Sequence, residues 1–430
     1  MMSSSAPERL APRWPGLRTA GLRLLLPVGA LGWALTPLSS TWAGLAWLAL
    51  CLGAALLSVT QAGRQPPRPQ SPAARGARRW VGATALAALL AGAAMLGWHD
   101  PLSSLQDNVR LLLTAGAVWW LSRQGPLGQH HPAWLVHATA SACVVAFGVA
   151  LTHGRNELPS NAIPWAATVG FMLCLLAPAV LDTSQPRGWR RLWAAALLLG
   201  LLAVFLSRTR SAMLVAVWLA GLCMWQAWRQ RHRAAAWIAG GLLVALALVA
   251  STASWQADPL RLRAAGEDVV LALTHNNPDT PVGARLRLWQ AAWQGITEAP
   301  LLGHGIAQRE TAIKALAAQN DPRIWKSLGH FHNDYLNAWF DHGLPGLAAV
   351  LLGVAGIVGA ALALQQAHPV ASQQLWGVAL LHASGGLTNV NMAHNLYALG
   401  LGLSVAVALL GAAAPPAPPI PSSGSGPHTP

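Results

Sequence analysis

Apolar residues recur along most of the chain in runs of the length that a membrane-crossing helix needs, about 18 or more residues. Short segments that carry most of the charged residues separate these runs. The pattern predicts twelve transmembrane helices and therefore an all-α polytopic membrane protein. The predicted spans are 21–38, 41–59, 80–98, 108–121, 132–152, 162–181, 191–207, 211–228, 234–251, 344–364, 372–391 and 395–413.

The composition argues against a soluble enzyme. Of the 430 residues, 54% are hydrophobic and 10% are charged, whereas a soluble globular protein carries about 25% charged residues. The net charge of +14 would suggest a nucleic-acid partner in a soluble protein. Here most arginines lie in short segments between apolar runs, so we assign them to membrane topology and expect no nucleic-acid binding. Four cysteines inside apolar runs predict buried thiols without a disulfide framework.

The distribution of arginine predicts an orientation. With the N-terminus in the cytoplasm, the cytoplasmic side receives four arginines before the first span and most of those in short loops. The short-loop arginines are Arg64, Arg68, Arg75, Arg78, Arg79, Arg123, Arg187, Arg190, Arg191, Arg229, Arg231 and Arg233. The short loops of the other side hold only Arg155, Arg208 and Arg210. Because cytoplasmic loops are enriched in Lys and Arg, the long loop is predicted to face the outer side of the membrane.

The predicted spans divide the chain into four segments. Residues 1–251 hold spans one to nine, with a first helix that we expect to be retained instead of cleaved as a signal peptide. Within them, the Pro- and Arg-rich stretch 60–79 is predicted to be a disordered cytoplasmic linker. Residues 252–343 form one long outer loop, and a loop of this length is usually functional. Residues 344–413 hold the last three spans, and 414–430 form a disordered cytoplasmic tail.

Arginines on the outer side are candidate phosphate ligands, because the planar guanidinium group presents paired donors that fit phosphate oxygens. Arg208 and Arg210 oppose the topological bias; the alternative is that both side chains reach the membrane interface without a ligand. In the long loop, Arg285 and Trp289 share one face of a predicted helix, whereas Arg287 points elsewhere. The alternative for these loop arginines is a solvated helix end.

His330, His332 and Asn333 end the long loop, just before a predicted span. Two histidines at i and i+2 would suit zinc on a strand, but no third ligand at suitable spacing is evident, and Asp334 and Asp341 are as readily solvated. A neutral imidazole, with a pKa of about 6.5, is instead a ready general base. The alternative is a structural or capping histidine.

Other polar residues of the spans and turns have two interpretations each. His137 and His382 lie inside spans, where polar groups are often functional, and each would equally hydrogen-bond a neighbouring helix. A further polar cluster either lines a cavity or forms the turn between the last two spans. Its members are Asn389, Asn391, His394 and Asn395.

The sequence holds no Walker loop, and no clear acidic metal-binding cluster lies on the predicted outer face. An outer-face site has no ready supply of nucleotide. An activated substrate must therefore arrive attached to another carrier, and we expect no metal, nucleotide or other cofactor.

The histidine segment resembles a motif of bacterial O-antigen ligases. His332-Asn333 is followed by nine residues, Gly343, two residues and Gly346, which resembles the family's motif H-(N/S/Q)-x9-G-x-x-(G/T/V). The sequence Gly-Leu-Pro-Gly over these last positions also predicts a tight turn into the next span.

Two arginine segments resemble the same family. Arg210, with Leu214 four positions later, resembles its Arg-x3-Leu motif. Arg285-x3-Trp289, together with the sequence PLLGHG at 300–305, resembles a loop segment of the wider O-antigen ligase and polymerase superfamily. The three motifs follow one another in order on one predicted membrane face.

The resemblance covers about residues 190–365 and implies a GT-C-type glycosyltransferase of the bacterial inner membrane with a periplasmic site. Such an enzyme transfers a glycan from undecaprenyl pyrophosphate to a sugar hydroxyl of the lipid A–core oligosaccharide, with inversion and without a metal. The resemblance implies His332 as the general base. The implied pyrophosphate ligands are Arg210, Arg208 and Arg285. We add Arg287, Asn333 and His330 as candidates for secondary roles, although nothing in the motif demands His330.

Three alternatives remain at the level of the sequence. An O-antigen polymerase or a protein O-oligosaccharyltransferase of the same superfamily needs the same base and the same arginines. Protein-glycosylating members tend to be longer, with an added C-terminal region, whereas the given sequence ends soon after its last predicted span. We expect a ligase on this basis. A lipid-linked glycan transporter would place polar residues near the bilayer midplane and show repeats, whereas the polar candidates here gather at one membrane face.

Overall fold

The computed structural model describes residues 15–61, 71–123, 133–230 and 262–413, and every regular element in these ranges is a helix. The α-helices, in chain order, are α1 (Pro15–Leu35), α2 (Ser40–Gln61), α3 (Pro72–Trp98), α4 (Gln106–Arg123), α5 (Ala133–Thr152), α6 (Ala162–Leu181), α7 (Arg187–Leu206), α8 (Arg210–Gln230), α9 (Leu262–Thr274), α10 (Pro281–Glu298), α11 (Ile306–Ala317), α12 (Pro322–Trp325), α13 (Asp334–Leu364), α14 (Pro369–Gly386) and α15 (Asn395–Ala413).

Short polar side chains fix where several helices begin. The Ser71 hydroxyl accepts the amide N–H of Ala74 at 3.1 Å, and Pro72 follows as the first residue of α3. The Asn161 carboxamide accepts the amide N–H of Ile163 at 3.0 Å and starts α6. Such N-caps satisfy amides that have no partner within the helix, and proline is tolerated at the first helical position for the same reason.

Two helices form the centre of the bundle. α6 is buried along nearly its whole length and packs against α5, α7, α8, α14 and α15, and most of α15 is buried in turn. A helix that is apolar on all sides is stable in such a central position. The outer helices instead expose large apolar side chains, such as Leu192, Leu198 and Leu202 on α7, which suits a bundle with lipid around it.

The chain is a polytopic helical membrane protein, as the apolar runs predict. Seven of the described helices are long and apolar enough to cross a membrane: Ser40–Val59, Pro72–Trp98, Trp134–Thr152, Ala162–Leu181, Arg187–Leu206, Asp334–Leu364 and Asn395–Ala413. Helices also lie at the first, fourth, eighth and eleventh predicted spans; the first and eighth contain shorter apolar stretches among the described residues, Leu24–Leu38 and Leu214–Trp225. The ninth predicted span, the middle of the predicted linker and the tail lie outside the described residues.

The prediction of a disordered linker is wrong for its second half, where α3 already begins. Ala73 and Ala77 are buried between the arginines of this segment. The Arg79 guanidinium donates to the carbonyl oxygen of Gly359 on α13 at 3.2 Å. The small residues form a face that packs on α13. The prediction of disorder rested on the arginines, which dominate the composition of this segment, and did not detect this face.

The long loop folds as a layer of helices over one end of the bundle. The predicted helix that carries Arg285 and Trp289 is present as α10, and α11 follows it. This layer has its own apolar core, whose members are Ala284, Leu288, Ala292, Ile296, Ile313, Trp325, Phe331 and Phe340. We call this end of the bundle the loop face; the turns after α3, α5, α7 and α14 also lie there.

Candidate functional site

His332 lies between α12 and α13 on the loop face, in a strained backbone conformation. Its φ angle of +52° falls in the left-handed region, which a non-glycine residue adopts at a cost of about 1–2 kcal/mol. The next residue, Asn333, caps α13: its side-chain oxygen accepts the amide N–H groups of Tyr335 and Leu336 at 3.0 and 3.1 Å. Its amide group donates to the carbonyl oxygen of Leu387 at 3.2 Å. Asn333 therefore ties the start of α13 to the end of α14.

The His332 imidazole is held by a carboxamide from the turn after α14. Its Nδ1 lies 3.1 Å from Oδ1 of Asn389, and the Asn389 amide donates to Oδ1 of Asn391 at 2.9 Å. The backbone N–H of Asn391 in turn donates to the Asp334 carboxylate at 3.4 Å. Because an amide oxygen only accepts, this contact places the imidazole proton on Nδ1 and leaves a lone pair on Nε2.

Burial, and next the positive charge of Arg285, lower the pKa of the His332 imidazole to about 4, against an opposing effect of the Asn389 hydrogen bond. Burial and the neighbouring charge of His332 lower the pKa of His330 to about 3. The two rings meet edge to face with centroids 4.2 Å apart. At neutral pH both imidazoles are uncharged, so His332 is able to accept a proton.

One face of α10 supports the histidine segment. The Trp289 indole N–H donates to the carbonyl oxygen of Phe331 at 2.9 Å, directly before His332. Arg285, one turn earlier on the same face, is partly buried and close enough to affect the His332 imidazole. Arg287 is exposed and donates to Gln290 at 3.3 Å. The structure thus brings Arg285 to the histidine and leaves Arg287 on the surface of α10.

The glycine that the sequence places in a tight turn is instead a kink inside α13. Gly343 has φ +62° and ψ −152°, and a Cβ atom there would lie 2.2 Å from the carbonyl oxygen of Leu301. The segment 300–305 packs into this kink, where the amide N–H of His304 donates to the carbonyl oxygen of Phe340 at 2.8 Å. The prediction of a turn is wrong because helical geometry resumes on both sides of one glycine.

Arg208 lies in the wall of a cationic cavity. It occupies the turn between α7 and α8 with φ +51°, and its carbonyl oxygen accepts from the Arg155 guanidinium at 3.2 Å. A cavity of about 940 Å³ has Arg155, Arg208, Arg323 and Glu157 in its walls. Arg210 is the first residue of α8, and its side chain lies outside the described part of the structure.

A polar cavity of about 500 Å³ opens beside His330. A buried ion pair and a buried histidine–carboxylate hydrogen bond lie beside it. The Arg309 guanidinium contacts the Asp341 carboxylate at 2.9 Å, and Nε2 of His342 lies 2.9 Å from the Asp100 carboxylate. The Asp100 carboxylate also accepts the first backbone N–H of α11 at 3.2 Å, so these pairs fasten the loop layer to α3 and α13.

The expectation that Asp334 and Asp341 are solvated is wrong: their exposed fractions are 6% and 3%. Both lie near the start of a helix that begins ten residues before the predicted span. Asp334 packs against Gly386 at the end of α14, and Asp341 pairs with Arg309 of α11. Sequence reasoning also missed Asp100 and Arg309, whose partners are far away in the chain. The only local signal was their position at helix ends on the predicted outer face.

Both span histidines make the hydrogen bond to a neighbouring helix that one of their two interpretations predicts. Nδ1 of His137 accepts the indole N–H of Trp193 on α7 at 3.1 Å, and Nδ1 of His382 lies 2.9 Å from the Tyr397 hydroxyl on α15. Each therefore pairs with a neighbouring helix.

Within the described ranges, no three His, Cys, Asp or Glu side chains form a group able to hold a metal ion.

Comparison with known proteins points to one family. Residues 195–351 match a family model described as O-antigen ligase, and this segment runs from α7 into α13, across Arg208, His332 and the Gly343 kink. An uncharacterised protein of Haemophilus influenzae is 37% identical over 93 residues, which are 21% of this chain and 23% of that protein. The matched part thus spans less than a quarter of that relative.

Proposed function

We propose that the chain is a member of the O-antigen ligase family, whose model its residues 195–351 match, and that it transfers a glycan from undecaprenyl pyrophosphate to a sugar hydroxyl of the lipid A–core oligosaccharide. The observation that carries this proposal is the neutral His332 imidazole, oriented by Asn389 and flanked by Arg285. A base and a cation beside each other suit a reaction in which a hydroxyl attacks and a pyrophosphate leaves.

The proposed reaction is a single inverting displacement. The acceptor hydroxyl oxygen forms a bond to the anomeric carbon while the bond from that carbon to the pyrophosphate oxygen breaks. The hydroxyl proton moves to Nε2 of His332, and undecaprenyl pyrophosphate leaves with the bonding electron pair. General-base assistance of this kind contributes about 10²–10⁴ in rate.

In this proposal, Arg285, Arg208 and Arg210 bind the pyrophosphate and stabilise the charge that develops on it. Hydrogen bonds to charged groups contribute about 1.5–3 kcal/mol each. The position of Arg285 near His332 and of Arg208 in a cationic cavity supports their assignment. We assign Asn333 to capping α13, His330 to the cavity wall, and no substrate contact to Arg287, since it bonds Gln290 on the surface.

The membrane setting is part of the proposal. We propose twelve spans, a GT-C-type fold and a location in the bacterial inner membrane with the loop face in the periplasm. The arginines at the start of α3, the end of α4 and the start of α7 lie at the helix ends opposite the loop face, which agrees with this orientation. The donor carries its own activation, so the reaction needs no nucleotide, metal or other cofactor.

The test uses the purified full chain with an undecaprenyl-pyrophosphate glycan and lipid A–core, in EDTA and without nucleotide. We expect a ladder of glycan-bearing lipid A–core on a gel from the wild type. His332→Ala should lower the rate at least a hundredfold. His275→Ala is the matched control, because His275 is exposed at the end of α9 and should behave as the wild type does.

Other products would identify the alternatives. A donor glycan that lengthens without transfer to lipid A–core indicates a polymerase, and a glycan on a protein hydroxyl indicates a protein O-oligosaccharyltransferase. Near-normal transfer by His332→Ala would exclude His332 as the base. No covalent product with any acceptor would favour a transporter over an enzyme.

A further inference from the structure

The polar cavity beside His330 lies between α3, α4, α11, α13 and the end of α14. Its volume of about 500 Å³ is within the range of about 300–1,000 Å³ that small-molecule sites occupy. His330 forms part of its wall, and the His330 and His332 rings are in contact. A molecule in this cavity would therefore contact His330, whose ring touches the ring of the proposed base.

The charge of the cavity wall disfavours a pyrophosphate. Asp107 lies in the wall, but its carboxylate is paired with the Arg110 guanidinium at 2.8 Å. The one arginine in its wall, Arg309, is already paired with the Asp341 carboxylate at 2.9 Å. The cationic cavity at Arg208 has the opposite character. Among the described residues, this wall offers no unpaired arginine or lysine to phosphate oxygens, whereas three arginines lie in the walls of the other cavity. A polyanionic headgroup should therefore bind at the cationic cavity and not here.

The wall retains hydrogen-bonding capacity that suits hydroxyl groups. Asn108 is half-buried in the wall, and its carboxamide makes no hydrogen bond to any residue that the structure describes. Ser104 and Gln106 at the mouth offer a hydroxyl and a second carboxamide. The Asp334 side chain accepts from the backbone N–H groups of Asn391 and Met392 and retains further hydrogen-bonding capacity. Amides and carboxylates of this kind bind sugar hydroxyls, which both donate and accept.

We propose that this cavity binds the uncharged terminal sugar of the acceptor glycan and presents its hydroxyl to His332. The inference rests on the proposed function, and it separates the two substrates by charge. The lipid pyrophosphate lies toward the arginines, and the neutral acceptor sugar lies among Asn108, Asp334 and His330. The base then stands between the two.

The test measures the two substrates separately. Steady-state transfer is followed with acceptor varied at fixed donor, and with donor varied at fixed acceptor. Asn108→Ala should raise the acceptor KM about three- to tenfold, the effect of losing one neutral hydrogen bond, and leave the donor KM unchanged. Gln106→Ala, at an exposed position of the wall, is a second test variant for which we expect the same result. Gln294→Ala, on the exposed face of α10, is the control and should change neither KM.

A second readout does not depend on turnover. Binding of the delipidated core oligosaccharide to His332→Ala protein is measured by saturation-transfer NMR, with and without Asn108→Ala. Loss of the signal in the double variant supports the cavity even if the wild type shows no transferase activity. An unchanged acceptor KM, or a rise in the donor KM alone, overturns the proposal, as does equal oligosaccharide binding with and without Asn108.

Discussion

At the scale of single residues, the position of the imidazole proton depends on one carboxamide. Asn389 is 2% exposed, and both ends of its amide are engaged, by His332 at 3.1 Å and by Asn391 at 2.9 Å. A residue that accepts from one ring nitrogen fixes the tautomer and the ring orientation of a histidine base. Asn389 is therefore a positioning residue in the proposed mechanism, since it touches the base and not the substrate.

Asn389→Ala should lower kcat at least about tenfold, because the imidazole loses the acceptor that keeps Nε2 unprotonated and aimed. Asn389→Asp should retain activity and move the acid limb of the kcat/KM profile to higher pH, since a carboxylate stabilises the imidazolium ion. A merely structural role predicts no such movement. Asn320→Ala, which lies at the end of α11, serves as the control.

The pH profile of the wild type follows from the lowered pKa of His332. A general base acts when neutral, so kcat/KM should be constant from about pH 5.5 to 8 and fall below the pKa of about 4. Arg285→Gln removes a positive charge that lowers this pKa, and the acid limb should then move to higher pH. A wild-type limb near pH 6.5, the value of a solvated imidazole, would contradict the buried environment.

At the scale of elements, the kink in α13 joins the loop layer to the bundle. The segment 300–305 lies against the kink through backbone hydrogen bonds, including the amide N–H of Gly305 to the carbonyl oxygen of Asp341 at 2.8 Å. The Trp98 indole at the end of α3 donates to the carbonyl oxygen of Leu302 at 2.8 Å. The glycine at 343 thus permits a close approach that holds the helix bearing Asp334 and the layer bearing Arg285 together.

Gly343→Ala should destabilise the protein by at least about 1–3 kcal/mol, the cost of a strained backbone conformation, with a further cost from the clash of Cβ with Leu301. The matched control is Gly359→Ala in the same helix, where a Cβ atom would meet Arg79 at an ordinary 3.6 Å. That control should leave stability unchanged or raise it, because alanine favours the helix. Thermal unfolding in detergent distinguishes the two, and equal melting temperatures would refute the strain.

At the scale of the whole molecule, the loop face collects nearly every candidate for chemistry. Asp100, Arg208, Arg285, His332 and Asn389 come from five different parts of the chain and meet at one end of the bundle. The bundle centre is occupied by α6 and α15, which carry mostly apolar side chains. This distribution, with polar candidates at one membrane face and apolar side chains in the centre, agrees better with a transferase than with a transporter.

The proposed orientation predicts which surface positions are accessible from the periplasm. Lys314→Cys, on exposed α11, should react with a membrane-impermeant maleimide in cells whose outer membrane is permeabilised. Ser184→Cys, in the exposed turn between α6 and α7, should react only after lysis. Labelling of the wild type gives the background from its four native cysteines. The reverse pattern would place the loop face in the cytoplasm.

The sequence by itself determined the features that depend on neighbours in the chain. Apolar runs specify helices because a helix satisfies its own backbone, and the lack of charge in them specifies a membrane protein. Short motifs likewise picked out His332 and Arg285, because spacing places side chains on a helix face or at a helix start. The same local reading failed at 72–79, where buried alanines decide the structure and arginines dominate the composition.

Only the tertiary structure decided which distant residues meet. The partner of His332 is 57 positions away, and that of His342 is 242 positions away. No local pattern encodes such contacts, because they depend on how the loop layer packs onto α3, α13 and α14. The same packing buries Asp334 and Asp341 and places Arg208 and Arg285 in different surroundings. The sequence shows which residue types are present for the proposed glycan transfer, and packing between helices decides how they are arranged.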